Sequence, residues 1–387
     1  MGPDPAIDLQ GTYRVRSAGE TWELVEPHIH AHGITRVADI TRLDNIGVPV
    51  WMALRPMAAT VSCSLGKGAT PDLARLSAVM EAIEVETAER FCHVDLRAKP
   101  ASSLELPYDV CSLASLERLL LSEQTPLDWV LAEDLSTGAA VPVPDWSVSL
   151  DGRADHRWSP RVGFRSTNGL ASGNTENEAT FHALLEIVER HALAGLGVIA
   201  LRDRRIVSLG EVPGTENQAL VNRLRNEGFW IEIVDASNLA GTWCFLIYLW
   251  REDVPALIGG SGAHIIASVA LSRALTEAVQ SRAGVISGVR DDVSVEVFRY
   301  ERGHPEESAP GRSPGSGKYH DGPAPSWISL DTELRRLVDA VTSVTSAPVL
   351  RVPLGSGEYP FSVCKVVAPG MEFDVYRQVD RVDGTAA

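Results

Sequence analysis

Residues 166–191 read STNGLASGNTENEATFHALLEIVERH. The first half is a turn rich in glycine and asparagine. The second half has the pattern of a helix, with Asn174 or Thr175 as its N-cap and acids at Glu178, Glu186 and Glu189. Ala183, Leu184 and Leu185 precede Glu186, Ile187 and Val188 separate it from Glu189, and Ala192, Leu193 and Ala194 follow. Almost no face of such a helix is polar enough to be purely solvated. Carboxylates in an apolar setting need partners, because an unpaired buried charge is costly. The available partners are metal ions or cationic side chains.

The same outline recurs on both sides of this stretch. Ala78 to Glu84 reads A-x-x-E-x-x-E, Ala183 to Glu189 repeats it, and Ala274 to Gln280 closes with an amide in place of the second acid. Residues three apart share a helical face, so each copy projects two oxygen-bearing side chains in one direction. Three such helices converging would build a carboxylate-rich cage. Glutamates three apart are also common on solvated helices, but a solvated face would carry Lys or Arg where these copies carry alanine and branched aliphatics.

The chain has 387 residues and is 44% hydrophobic, enough for one large core or for two or three domains. No apolar run is long enough to span a membrane. The N-terminal MGPDPAIDLQ lacks the basic and apolar regions of a secretory signal, so a cytoplasmic protein is expected. Its five cysteines are scattered without C-x-x-C spacing, which argues against a zinc ribbon or a disulfide framework. A formal charge of −16 disfavours nucleic acid as a primary partner and is compatible with divalent-metal binding.

Around the acid helices, strands and helices mix without strict alternation, which predicts an α+β fold of mixed sheets packed with helices. Residues 60–70, TVSCSLGKGAT, read as a strand entering a Gly-Lys-Gly turn ahead of the Glu81 helix. A lysine between glycines just before a helix N-terminus suits an anion. Arg14, Arg16, Arg36 and Arg55 are further phosphate candidates, whereas His182 reads as a packed histidine. Residues 259–264, GGSGAH, follow a strongly apolar buried strand and precede the third acid helix, on which Arg273 lies one turn ahead of Glu277. Residues 330–345 read as a helix, 347–353 and 362–368 as strands, and the Gly/Pro/Ser-rich 303–326 as a mobile loop.

With these motifs in place the chain resembles the YcaO family of ATP-dependent peptide-modifying enzymes, of the stand-alone type. The matching pieces are Gly66-Lys67-Gly68 with Ser77 to Glu84, Asn168 to Asn174 with Glu178 and His182 to Arg190, and Arg273 to Arg282. The resemblance implies an α+β YcaO-like fold, with residues 1–60 an N-terminal subregion of the same domain as a catalytic region at 61–387. It implies ATP on Mg2+ held by Glu81, Glu84, Glu186 and Glu189, with Lys67, Arg273 and Arg282 neutralising phosphate. Ser77, Asn168, Glu178, Glu277 and Gln280 then fall near nucleotide or metal. The activity implied is O-phosphorylation of a backbone amide in a ribosomally made precursor peptide, followed by nucleophilic attack to give a thioamide, amidine or azoline. The alternative is a nucleotide-binding accessory protein that assists another modifying enzyme. Val85 stands where family members often carry arginine, and the sequence ends DRVDGTAA instead of the proline-rich tail usual in the azoline-forming branch. Partners implied are the precursor peptide, a separate leader-binding or sulfur-delivery (TfuA-type) protein, and a second copy in a homodimer.

Overall fold

The structure is a computed structural model that describes residues 7–9, 11–113, 121–150, 165–200, 203–289, 327, 329–355 and 357–373. The stretch expected to be a mobile loop, 303–326, and the C-terminal residues lie outside the described residues.

Three long helices dominate, each entered directly from a strand. Strand β5 (Cys63–Lys67) leads into α2 (Pro71–Arg90), β9 (Leu170–Gly173) into α3 (Glu176–Leu196), and β13 (Val254–His264) into α5 (Ala267–Ser287). Thr70 and Thr175 cap the first two by accepting from Leu73 N and Glu178 N, while Ile266 begins the third without a side-chain cap. Glu81, Glu186 and Glu277 each lie eleven residues past these N-cap positions 70, 175 and 266. The three acids therefore occupy one common register.

All recorded strand pairings are antiparallel, as the α+β expectation requires. β5 pairs with β4 (Val50–Leu54), which pairs with β3 (Arg36–Asp39). β13 pairs with β12 (Trp243–Arg251), then β11 (Trp230–Asp235) and β10 (Arg205–Ile206). The largest sheet runs β6 (Leu96–Pro100), β7 (Pro126–Asp134), β14 (Leu350–Pro353), β15 (Ser362–Val367), β9, with β8 (Ala140–Pro144) also on β7. Helix α4 (Thr215–Asn226) packs near α5, and α6 (Leu330–Thr345) packs on α3.

The stretch 170–173, read from sequence as part of a turn, is a strand, and the glycine-rich 259–264 forms the end of β13. Glycine is used there for close packing. A Cβ on Gly66 would meet Ala78 N at 2.1 Å and Ala74 O at 2.2 Å, and one on Gly260 would meet Ala278 N at 2.1 Å. Ala74 and Ala78 ahead of Glu81, and Ala274 and Ala278 on either side of Glu277, are the helix half of this contact; with the glycines they bring helix and strand backbones together. The proposed boundary at residue 60 falls between β4 and β5, which are hydrogen-bonded in one sheet from Val50↔Lys67 to Leu54↔Cys63.

The N-terminal segment is tied across these units. Strand β1 (Ile7–Asp8) pairs with β2 (Tyr13–Arg14), and α1 (Ala18–Val25) begins at Ser17 with a capping box to Glu20. A 3-10 turn, Glu26–His32, follows and places His32 beneath the β14–β15 loop.

Candidate active site

The acids on the three helices connect the units in a cycle. Glu84 of α2 accepts from Ser172 N at 2.8 Å and Ser172 Oγ at 2.5 Å in β9. Glu189 of α3 accepts from Ser261 Oγ at 2.6 Å and Ala263 N at 3.1 Å in β13. Glu277 of α5 pairs with Lys67 Nζ at 2.5 Å in β5, which closes the cycle.

A cavity of about 270 Å3 opens where the cycle meets the N-terminal segment. Of the residues singled out from sequence, Lys67, Ser77, Glu81, Glu84, Glu178, Arg273 and Gln280 line it. Arg14 and Arg16 do so as well, from β2 and the turn after it. Leu73, Leu76 and Met80 of α2 give one wall an apolar surface. Charged residues on one side and apolar ones on the other suit a ligand with an ionic end and a flat organic body.

Electrostatics tie the acids behind the wall to those facing the cavity. Burial, then repulsion from Glu84, pushes Glu81 up to about 8 against the pull of Lys67, with Glu277 and Glu186 adding to the repulsion. Burial likewise raises Glu186 to about 7, although Arg190 lies 3.8 Å away and Lys365 also acts on it. Burial raises Glu84 too, opposed by its hydrogen bonds from Ser172. Glu277 is the exception: burial works to raise it, but Lys67, Arg190 and Arg273 outweigh that and lower it. The balance in the site is thus tilted against ionisation at three of these four acids.

That imbalance fits Mg2+ and a triphosphate. Among the described residues no group of three or more His, Cys, Asp or Glu side chains is close enough to hold a metal ion unaided. Mg2+ bound with a nucleotide does not need such a group, because it takes one or two carboxylates and completes its octahedron with phosphate oxygens and water. Burial and neighbouring acids oppose ionisation of Glu81 and Glu186, and burial opposes it at Glu84, an opposition that a bound cation would relieve. Arg273 lines the cavity with its Nε buried and without a hydrogen-bond partner, and Lys67 faces the same space. Both supply cations where phosphate would lie.

Other expected site residues have different places. Both oxygens of Glu178 are occupied by Arg14 Nη1 (3.1 Å), Val15 N (2.9 Å) and the backbone and side-chain nitrogens of Asn174, so it latches the N-terminal segment to α3. The oxygens of Glu189 are likewise taken by β13. Asn168 sits in the turn before β9, outside the residues lining the cavity, with its Oδ1 buried and unpartnered. Arg282 is not brought to the cavity. It is 1% exposed, and its Nε and Nη2 pair with Asp44 and Asp253 at 2.8 and 2.5 Å. Two residues past Gln280 it faces away from the acid stripe, as helical geometry requires. Arg55 is buried against Glu89 at 2.9 Å and Arg36 is exposed on β3, so neither reaches the cavity. His182 is buried and packs edge-on to Phe181.

Sequence reasoning missed Lys365. It is 3% exposed on β15, donates to Ser166 O, and acts on Glu186. A lysine inside the apolar strand SVCKVV was the available signal.

A cavity lined by buried acids and facing cations suits a nucleotide carried on Mg2+. The family model described as YcaO cyclodehydratase, ATP- and Mg2+-binding, matches residues 65–372, and the chain belongs to that family. Membership makes ATP and Mg2+ its cofactors and places it among ATP-dependent peptide-modifying enzymes. It is 35% identical over 374 residues to the uncharacterized protein Rv1375 of Mycobacterium tuberculosis, covering 95% of this chain and 84% of that one. It is 30% identical over 389 residues to an uncharacterized protein in the tfuA 3' region of Rhizobium leguminosarum bv. trifolii, covering 94% and 90%. Its fold matches the structure of YcaO from Methanopyrus kandleri bound with AMPPCP and Mg2+, with TM-score 0.73, 23% identity and coverage of 94% and 93%. Among the described residues no helix is long and apolar enough to cross a membrane.

Proposed function

We propose that this chain activates a backbone amide of a ribosomally synthesised precursor peptide by O-phosphorylation, after which a nucleophile replaces the phosphorylated oxygen to give a thioamide, amidine or azoline. The observation that carries this is the convergence of Glu81, Glu84, Lys67 and Arg273 on one cavity, backed by Glu186 and Glu277. An amide oxygen is a poor leaving group as hydroxide, and conversion to phosphate removes that barrier. Mg2+ held by Glu81, Glu84 and Glu186 would stabilise charge on the transferring phosphoryl group. Lys67 and Arg273 offset the remaining phosphate charge, while Leu73, Leu76 and Met80 offer an apolar wall to the nucleoside. Arg14 and Arg16, anchored by Glu178 and Asn174, fix the N-terminal edge of the site.

The relative in the tfuA 3' region supports a separate sulfur-delivery protein of the TfuA type as partner, and with it the thioamide product. The experiment is incubation with ATP, Mg2+ and the precursor peptide encoded beside the gene. The expected result is phosphate release together with a peptide about 18 Da lighter after ring closure or amidine formation, or about 16 Da heavier after exchange of oxygen for sulfur. Phosphate release that persists after Glu186→Gln, or ATP binding with no peptide product under any partner combination, would overturn the proposal.

A further inference from the structure

A second, larger cavity, of about 810 Å3, adjoins the nucleotide cavity, and Phe361 lines both. It lies where the largest sheet splays. Strand β14 pairs with β7 only at Leu350↔Asp134 and Arg351↔Glu133. Beyond that point Val352 and Pro353 diverge from Val130 and Leu131, and the four line opposite sides of the groove. The Leu131 N–H, which faces no strand there, is taken by Asp95 Oδ2 at 2.7 Å. A groove between two strand edges, lined by apolar Val130, Leu131 and Val352 and by polar Glu86, Arg90 and Asp95, suits an extended peptide.

His32 lies in this groove, 4% exposed. Its Nδ1 is 2.8 Å from Glu86 Oε2, and Glu86 is held in turn by Arg90 Nη1 at 2.9 Å. Its Nε2 is buried with no hydrogen-bond partner. The rings of Tyr359 and Phe361 lie 4.7 and 5.9 Å from the imidazole, on the segment joining β14 to β15. Burying a nitrogen with nothing to bond costs stability, so such an arrangement points to a task for that atom. A carboxylate on Nδ1 fixes the tautomer that leaves Nε2 as the basic nitrogen. None of the phosphate chemistry proposed above uses this pair.

We infer that, for the azoline and amidine outcomes in which the peptide carries its own nucleophile, the groove seats the segment bearing it, and that His32, oriented by Glu86, is the base that takes the nucleophile's proton. The inference rests on the proposed amide activation. In that step the bond from the Cys thiol, Ser hydroxyl or amine to the activated carbon forms as its S–H, O–H or N–H bond breaks, with the proton passing to Nε2. The carbon–oxygen bond to phosphate then breaks, its electron pair leaving with phosphate as the nitrogen lone pair restores the C=N bond. His32 returns its proton to solvent through the groove. Gly357, at φ +75°, lies two residues before Tyr359 on the segment that covers His32.

The test uses the full chain with ATP, Mg2+ and the precursor peptide. His32→Gln should keep the thermal shift given by AMPPCP and Mg2+, which certifies folding and an intact nucleotide site. Its kcat for modified peptide should fall about 100-fold or more. Imidazole added to His32→Ala should restore part of that rate, which a purely structural histidine would not show. Leu131→Trp, which narrows the groove away from His32, should raise KM for peptide and leave ATP binding unchanged. Wild-type kcat in His32→Gln, or loss of product without any imidazole rescue in a folded His32→Ala, would overturn the assignment. Failure of amide activation itself reads differently: the wild type would then bind ATP and release no modified peptide.

Discussion

Replacing Glu81 by glutamine removes the acid whose ionisation the fold opposes most, so it should stabilise the unliganded protein while abolishing its response to nucleotide. The usual value for this group is 4.5, and in the folded protein burial and the neighbouring Glu84 push it up to about 8. Between those values the folded chain keeps a proton that the unfolded chain releases, so stability falls as pH rises. One such group costs about 1.4 kcal/mol per pH unit inside that window, which amounts to about 2 kcal/mol between pH 6 and pH 8 as the curve flattens near the upper value. Urea unfolding at pH 6, 7 and 8, followed by tryptophan fluorescence, measures it. Without ligand, Glu81→Gln should gain stability over wild type progressively across that range. With saturating AMPPCP and Mg2+ the order should reverse. Wild type would gain about 3 kcal/mol at ligand one hundred times its Kd, and more at higher pH where the carboxylate is ionised, while the variant gains little. A variant with the wild-type pH slope would show that Glu81 is not an opposed buried acid. A variant retaining the full AMPPCP and Mg2+ response would show that the acid cluster does not hold the metal.

Two further substitutions separate structural from ligand-facing charges. Arg282→Ala should destabilise the fold by about 3 kcal/mol, because Asp44, 5% exposed in its side chain, loses its buried partner. Its KM for ATP should stay at the wild-type value wherever the protein is folded, and a raised KM with unchanged stability would return Arg282 to the nucleotide site. Lys365→Met removes a cation that holds Glu186 down, so Glu186 should move above its present value of about 7. Mg2+-dependent phosphate release should then weaken at pH 7 and recover toward pH 9, and an unshifted pH profile would exclude Lys365 from the electrostatics of the site.

Local periodicities are legible in the chain alone. Glutamates three apart after an alanine specify one face of a helix, threonine caps set where α2 and α3 begin, and the alanine and branched aliphatics around the acids mark that face as turned inward. Helix α6 was legible for the same reason, since its pattern and its Ser329 cap are contained within one segment. Tertiary structure decided everything that depends on a partner far along the chain. The stretch 170–173 reads as a turn because glycine and asparagine surround it, yet it is a strand paired with β15, and position 260 is glycine because Ala278 leaves no room for a Cβ. Glu189 and Glu277 look equivalent to Glu186 in sequence, but packing gives one to β13 and the other to Lys67, at separations of 72 and 210 residues. Arg282 lies on the right helix, but Asp44, 238 residues away, claims it. Lys365 and His32 carry no local motif at all. They become candidates because long-range packing buries one beside Glu186 and holds the other between Glu86 and an aromatic roof.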